Sequence, residues 1–342
     1  MALETDSCIY VRGNILLAVY VDDIQVVGPT KEECDAVYKE LEKHIKIEYK
    51  GPVKSFLGID VIRDWDDHLI AINQSAHIDR LVGEFGLMNA KSAGSPLDPS
   101  LPLLIAQPGD KMCNIKYSQR LTGSLNHLAV FTRPDISFAV SKLSQFNSNP
   151  TTTHLKAAMH VLRYLKGTRN LCIVYKRQPG NIIIVGYSDA DWGSDENDKI
   201  SYTGCAFQVH GGLASWTSHK QSTVSNSTMQ CEYMALSDAS REAVARAQFF
   251  QELNISSMPL LILSDSETAL DLADGSTVNH SKSKHRDIKY HQGRHYIQER
   301  KVEVSHIASE YQIADIFTKA LGPQKHNHLV QLMGMRNSHE LQ

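Results

Sequence analysis

Apolar and polar positions change period along the chain, and each change predicts a change of structure. Residues 8–28 hold two short apolar runs, Ile15, Leu16, Leu17, Ala18 and Val19, then Ile24, Val26 and Val27, broken at Asp22-Asp23. That pattern predicts a hairpin with a polar tip. Over 31–46, Cys34, Val37, Tyr38, Leu41 and Ile45 fall at helical spacing behind Pro29-Thr30, which predicts a surface helix. A strand pair over 56–63 and 68–73 and a helix over 76–86 follow. Pro96, Pro99, Pro102 and Pro108 then mark a linker or long loop. Helical spacing returns over 117–130, 135–146 and 154–166, with Thr132 and Pro134 as a start signal and Gly167 as a stop. From residue 171 the period is two, over 172–175, 182–188, 202–209 and 213–217, with His210-Gly211-Gly212 placed to turn a hairpin. A long helix over 230–253, strands over 260–263 and 302–307 and a last helix over 311–321 complete the order. It predicts a mixed sheet with helices packed on it.

Composition narrows the class. At ~150 residues per domain, 342 residues make roughly two domains. The longest apolar runs, 15–21 and 182–185, fall far short of the ~18 residues of a membrane span. The formal charge is −3, so contact with a polyanion requires locally segregated basic residues. Six cysteines, at 8, 34, 113, 172, 205 and 231, include no CxxC, which argues against a disulfide framework or zinc knuckle and for a reducing compartment. The first residues, MALETDSCIYVRGN, place acids before any apolar run and do not read as a secretory signal.

Single acids stand where the later apolar runs stop. Asp189 follows IIIVGYS and Asp265 follows LLILS; Glu232 lies near a predicted helix start, and Asp315 in a predicted first turn. Singly each has a plain structural explanation as turn, solvated helix position or cap. Jointly they suit phosphoryl transfer assisted by two divalent cations held ~3.5–4 Å apart, which demand hard oxygen ligands.

The surrounding words resemble the ribonuclease H domain of Ty1/copia-type retrotransposon Pol polyproteins. The matching pieces are GYSDADW (186–192), SWTSHKQSTVSNST (215–228), CEYMALSDA (231–239), LLILSDSETAL (260–270), SKHRDIKYH (283–291) and YQIADIFTKAL (311–321). The resemblance implies a five-stranded mixed sheet flanked by helices. It also implies Asp189, Glu232, Asp265 and Asp315 as a catalytic quartet for two Mg²⁺ or Mn²⁺ ions, cutting the RNA strand of an RNA–DNA hybrid with no small-molecule cofactor. The chain departs from the family pattern at Gln230, where an acid is frequent, at Gly293 within a helix, and at His295 where an acid is common. The segment 307–311 is too short for the histidine-bearing loop of retroviral relatives. His306 lies in a strand and reads as structural, so product release is expected to differ or to be slow.

The first half carries the same ancestry. LLAVYVDDIQVVG (16–28) resembles the reverse-transcriptase palm hairpin, whose adjacent acids bind catalytic metals, and Asp22 and Asp23 match them. FLGIDVIRD (56–64) and LTGSLNHLAVFTRPDISFAVSKLSQF (121–146) are likewise typical of copia-type Pol. Polymerisation needs a third carboxylate and fingers from earlier chain, so DNA synthesis by this chain alone is not expected. An exposed, incomplete palm would also invite aggregation. The expected fold class is thus α+β and α/β. It comprises a partial palm (1–75), a helical thumb or connection segment (76–170), a ribonuclease H-like domain (171–325) and a tail (326–342).

Two basic stripes are candidates for the nucleic-acid backbone. Residues 154–177 include Arg163, Lys166 and Arg169 and no acid; 282–301 include Lys284, Arg286, Lys289 and Arg294 against only Asp287 and Glu299. Such stripes would position a duplex by shape and charge. His291 and His295 have the spacing of a zinc helix, yet Gln292 stands where a peptidase needs its general-base Glu. Met229, Met234, Trp192 and Trp216 are expected to fill core. Two functions compete: an active ribonuclease H within a retroelement Pol fragment, and a catalytically silent remnant that only binds nucleic acid. The implied partners are an RNA–DNA hybrid and any upstream Pol segments, with no membrane. The implied location is the cytoplasm, in virus-like particles, with the nucleus as a second one.

Overall fold

The computed structural model describes residues 1–179, 184–255, 259–274 and 288–341. The chain opens with an antiparallel sheet of β1 (Ile9–Arg12), β2 (Ile15–Tyr20) and β3 (Asp23–Val27). Helix α1 (Lys31–Glu42) follows, capped by Thr30, whose hydroxyl accepts from Glu33 N. The expected two-stranded hairpin thus gains a third strand, because Gly13 at φ +61° turns β1 back onto β2. This sheet stays half-open, with Tyr10, Tyr20 and Val27 exposed.

A second antiparallel sheet joins distant parts of the chain. Strands β4 (Ser55–Phe56), β5 (Ile59–Asp64) and β6 (Leu69–Asn73) form a meander. Then come α2 (Ser75–Glu84), the proline-rich stretch, α3 (Ile115–Phe131), α4 (Ser137–Ser144) and α5 (Thr152–Gly167). The four helices bury Leu81, Leu121, Leu125, Leu128, Val161 and Leu162 in one apolar core. Helix α5 carries a reciprocal cap between Thr151 and His154. Strand β7 (Leu171–Lys176) then returns to pair with β6. The sheet predicted to begin at residue 171 therefore does not include this strand. Cys172 and Ile173 bury themselves on opposite faces of the earlier meander, and period-two spacing alone cannot choose between two sheets.

The third sheet has the order β10-β9-β8-β11-β12, built from β8 (Ile184–Asp191), β9 (Tyr202–Val209), β10 (Gly212–Lys220), β11 (Leu260–Ser264) and β12 (Val302–His306). β8 to β10 are antiparallel, and β11 and β12 add on parallel to β8. This is the five-stranded mixed sheet expected. Long α6 (Thr228–Glu252), α7 (Glu267–Asp274) and α8 (Ile288–Gln298) cover one face. Gly293 is the place where α8 meets α6: a Cβ there would lie 2.6 Å from Ser237 Cα, so the close approach accounts for the glycine.

The predicted last helix over 311–321 is instead a 3₁₀ turn, Ile313–Phe317, followed by α9 (Pro323–Leu332) and β13 (Met335–Asn337). Gly322-Pro323 ends one element and starts the next. The segment expected to be a tail is packed: Leu329, Val330, Met333 and Met335 are buried against the other sheet face, and β13 pairs with β7. A buried Arg133–Asp135 pair, 2.7 Å apart and joined by Tyr164 and Thr168, fastens the helical unit. His326 of α9 shares a hydrogen bond with Asp135 O. No helix among the described residues is long and apolar enough to cross a membrane.

Candidate active site

The acids converge because adjacent strands run parallel. β8 and β11 end on the same side of the sheet, and in open α/β sheets ligands gather beyond those carboxyl ends. β8 carries Asp189, β11 is followed by Asp265, and Glu232 projects from the second turn of α6, whose start Ser227 caps. One carboxylate oxygen from each of the three lies within 4.8 Å of the others. Thr318 Oγ1 donates to Asp189 Oδ2 at 2.5 Å, Ser309 Oγ donates to Asp265 Oδ2 at 2.7 Å, and the Ala190 amide donates to Glu232. The other Glu232 oxygen, Oε2, is buried without a hydrogen-bond partner.

Asp315 stands at the edge of this group. Its Oδ1 is 2.6 Å from Lys319 Nζ, and its Oδ2 pairs with Lys325. Lys319 also lies 4.0 Å from Asp189. The 3₁₀ turn that brings these residues in sits directly on β9, where a Cβ at Gly204 would meet Ala314 O and Phe317 Cβ at 2.8 Å. Gln312, fully buried, donates to Ser188 O at 3.0 Å and Leu263 O at 3.4 Å, stapling the ends of β8 and β11. Gln312, Thr318, Lys319 and Gly204 are absent from the expected site. The first three lie within the YQIADIFTKAL word, but nothing in their spacing tells which face they take in a 3₁₀ turn.

Electrostatics fit a cation site. Burial, with the charge of Asp315 behind it, pushes Asp189 up to about 7 against the pull of Lys319. Burial next to Asp189 and Asp265 pushes Glu232 up to about 9. Burial opposes the charge on Lys319, yet Asp189 and Asp315 outweigh it and hold the ammonium above its ordinary range. Crowded carboxyls that retain protons and an orphaned buried oxygen are what a divalent cation would relieve.

The other expected sites look different. Asp22 and Asp23 are both exposed: Asp22 lies with Val21, at φ +52°, in the two-residue hairpin turn, and Asp23 opens β3 opposite Tyr20. They join no group of three potential metal ligands among the described residues. In the first basic stripe Arg163 donates to Lys91 O at 2.6 Å and Lys166 to Met88 O and Ala90 O, while Arg169 pairs with Asp79 at 2.6 Å. Arg163 and Lys166 fasten the loop after α2 to α5, and Arg169, just past α5, holds α2 itself. Lys284 and Arg286 lie outside the described residues, as does the side chain of Lys289; Arg294 is half-buried on α8. Trp192 is no core residue: it is 51% exposed, its indole donating to Ser225 O. Trp216 is half-buried, and Met229 and Met234 pack in the core as expected. Gln230 accepts from Asn226 N at 2.9 Å, bracing the start of α6. His306, expected as structural, is exposed at the end of β12, in register with Ser264.

A mixed sheet of this order with acids at the ends of its parallel strands defines a ribonuclease H-like fold. Residues 2–99 match the family model described as reverse transcriptase (RNA-dependent DNA polymerase). Over 98% of its length the chain is 32% identical to the retrovirus-related Pol polyprotein from transposon TNT 1-94 of Nicotiana tabacum, covering 26% of that protein. It is 31% identical to a putative transposon Ty5-1 protein of Saccharomyces cerevisiae over 67% of this chain and 74% of that protein. The chain belongs to the Ty1/copia-type retrotransposon Pol polyprotein family. It spans about a quarter of the first of these relatives. Among solved structures it is similar to LC11-RNase H1 in complex with RNA/DNA hybrid, at 20% identity over 40% of this chain and 93% of that one, with a TM-score of 0.30.

Proposed function

We propose that this chain is a ribonuclease H that hydrolyses the RNA strand of RNA–DNA hybrids with Mg²⁺ or Mn²⁺. One observation carries the reading: Asp189, Glu232 and Asp265, from three separate elements, bring ligand oxygens within 4.8 Å around a buried, unpartnered Glu232 Oε2. Asp189, Glu232 and Asp265 would hold the metal, with Asp315 at its margin. When bound, paired divalent cations activate water and neutralise charge on the leaving oxygen. Thr318, Ser309 and the Ala190 amide fix the carboxylates in one arrangement, so little reorganisation is needed at the moment of reaction. Asp265 is the least buried of the three, so a duplex would reach the cluster from its side.

The palm-like segment makes no DNA by itself on this reading, since Asp22 and Asp23 gain no third carboxylate among the described residues. Upstream Pol segments, if a longer polyprotein exists, would supply polymerisation, and the chain itself would reside in cytoplasmic virus-like particles, with the nucleus as a second location. The test is incubation of the purified chain with a labelled RNA–DNA hybrid and Mg²⁺ beside an Asp189→Asn control. Cleavage of the RNA strand by the unaltered chain alone is expected. Binding without cleavage would leave only a silent nucleic-acid binder. Primer extension lost on replacing Asp22 would overturn the statement about polymerisation.

A further inference from the structure

The acid cluster is built with a cation of its own. Lys319 bridges Asp315 and Asp189, and Lys325 takes the second oxygen of Asp315. Both oxygens of Asp315 are therefore occupied by ammonium groups, whereas Glu232 Oε2 has no partner. The oxygens that approach one another within 4.8 Å come from Asp189, Glu232 and Asp265 and leave Asp315 out. With all four acids ionised, the four carboxylates and two ammoniums would carry a formal charge of −2, which one divalent cation would neutralise. Lys319 also lines an open cavity of about 220 Å³ with Lys142, Asp191 and Tyr202, so its side chain has room to move away.

We propose that Lys319 is a resident counter-cation: with Lys325 it withholds Asp315, so that a divalent cation binds through Asp189, Glu232 and Asp265 and displaces Lys319 from Asp189. The inference rests on the metal-centre reading above but concerns affinity, not cleavage. Removing a charge ~4 Å from a ligand in a partly buried site changes binding by roughly tenfold or more.

The test is Mn²⁺ binding to the full chain by calorimetry, without nucleic acid. Lys319→Gln is expected to bind Mn²⁺ about tenfold more tightly and to melt at a lower temperature in EDTA, with Lys319→Arg close to the unaltered chain. Asp315→Asn frees Lys319 to lean on Asp189 and weakens binding; the double variant Asp315→Asn/Lys319→Gln recovers it. A Lys319→Gln chain that binds no more tightly, or a double variant as weak as Asp315→Asn, overturns the proposal, the second outcome making Asp315 itself a ligand. If Lys319→Gln does not fold, Lys325→Gln tests the same point by releasing one Asp315 oxygen: tighter binding supports the proposal and unchanged binding overturns it. Failure of cleavage with this binding pattern intact would refute the nuclease and keep the counter-cation. Unchanged Mn²⁺ binding by Asp189→Asn would refute the metal centre and the counter-cation together.

Discussion

The molecule presents acids in two arrangements. Asp22 and Asp23 are neighbours in sequence and exposed, one in the hairpin turn and one at the first position of β3. Asp189, Glu232 and Asp265 are far apart in sequence and come from a central strand, a long helix and a neighbouring strand end, with Thr318 and Ser309 fixing two of them. In extended backbone consecutive side chains point to opposite faces, so an adjacent pair makes no cage unaided. Chemical competence here follows from convergence of elements, and the buried group shows its cost in the raised Asp189 and Glu232.

The contrast is broken most severely at Asp189. Asp189→Asn is expected to reduce hybrid cleavage by about a thousandfold or more, while Asp22→Asn with Asp23→Asn leaves the rate within twofold; a gel assay on a labelled hybrid compares them. Next in size is Gly204→Val. Its branched side chain collides with Ala314 O and Phe317, so it is expected to destabilise the fold by about 1–3 kcal/mol and displace the turn carrying Asp315 and Thr318. Chemical denaturation and Mn²⁺ binding would both register it.

A pH series sharpens the comparison further. Asp189 and Glu232 have folded-state values of about 7 and about 9, above their ordinary 3.8 and 4.5. Through that window the folded metal-free chain retains protons that the unfolded chain has released, so stability falls as pH rises. The melting temperature in EDTA is expected to drop from about pH 5 to about pH 9, and Mg²⁺ to remove most of that slope. The smallest effect lies at the hairpin, where Asp22→Ala is expected to leave the melting temperature within about 1 °C.

Much of this was legible in the residues. IIIVGYS and LLILS announce strands by their apolar runs, and an acid right after such a run sits near the carboxyl end of its strand whatever the partner strand. What the residues hide is pairing at long range. Leu171–Lys176 carries the same alternation whether it joins β8 or β6, and only its packing on Leu69 and Ala71 decides. Arg163 and Lys166 look like a free basic stripe until the carbonyls of Met88, Ala90 and Lys91 are seen beneath them. Lys319 stands four residues after Asp315 and pairs with it, but its approach to Asp189 comes from the packing of the 313–317 turn on β9, which no spacing within YQIADIFTKAL announces.

The three residues of β13 have a reach beyond their size. By pairing with β7, itself paired with β6, they act as a clasp that fastens the last residues of the chain to a meander formed near residue 70. Unfastening the clasp, by a stop codon before Met335 or a bulky fusion at that point, would bare the edge of β7 and offer neighbouring copies a strand to dock on. Three residues near the C-terminal end thereby cover a strand edge that the meander would otherwise present.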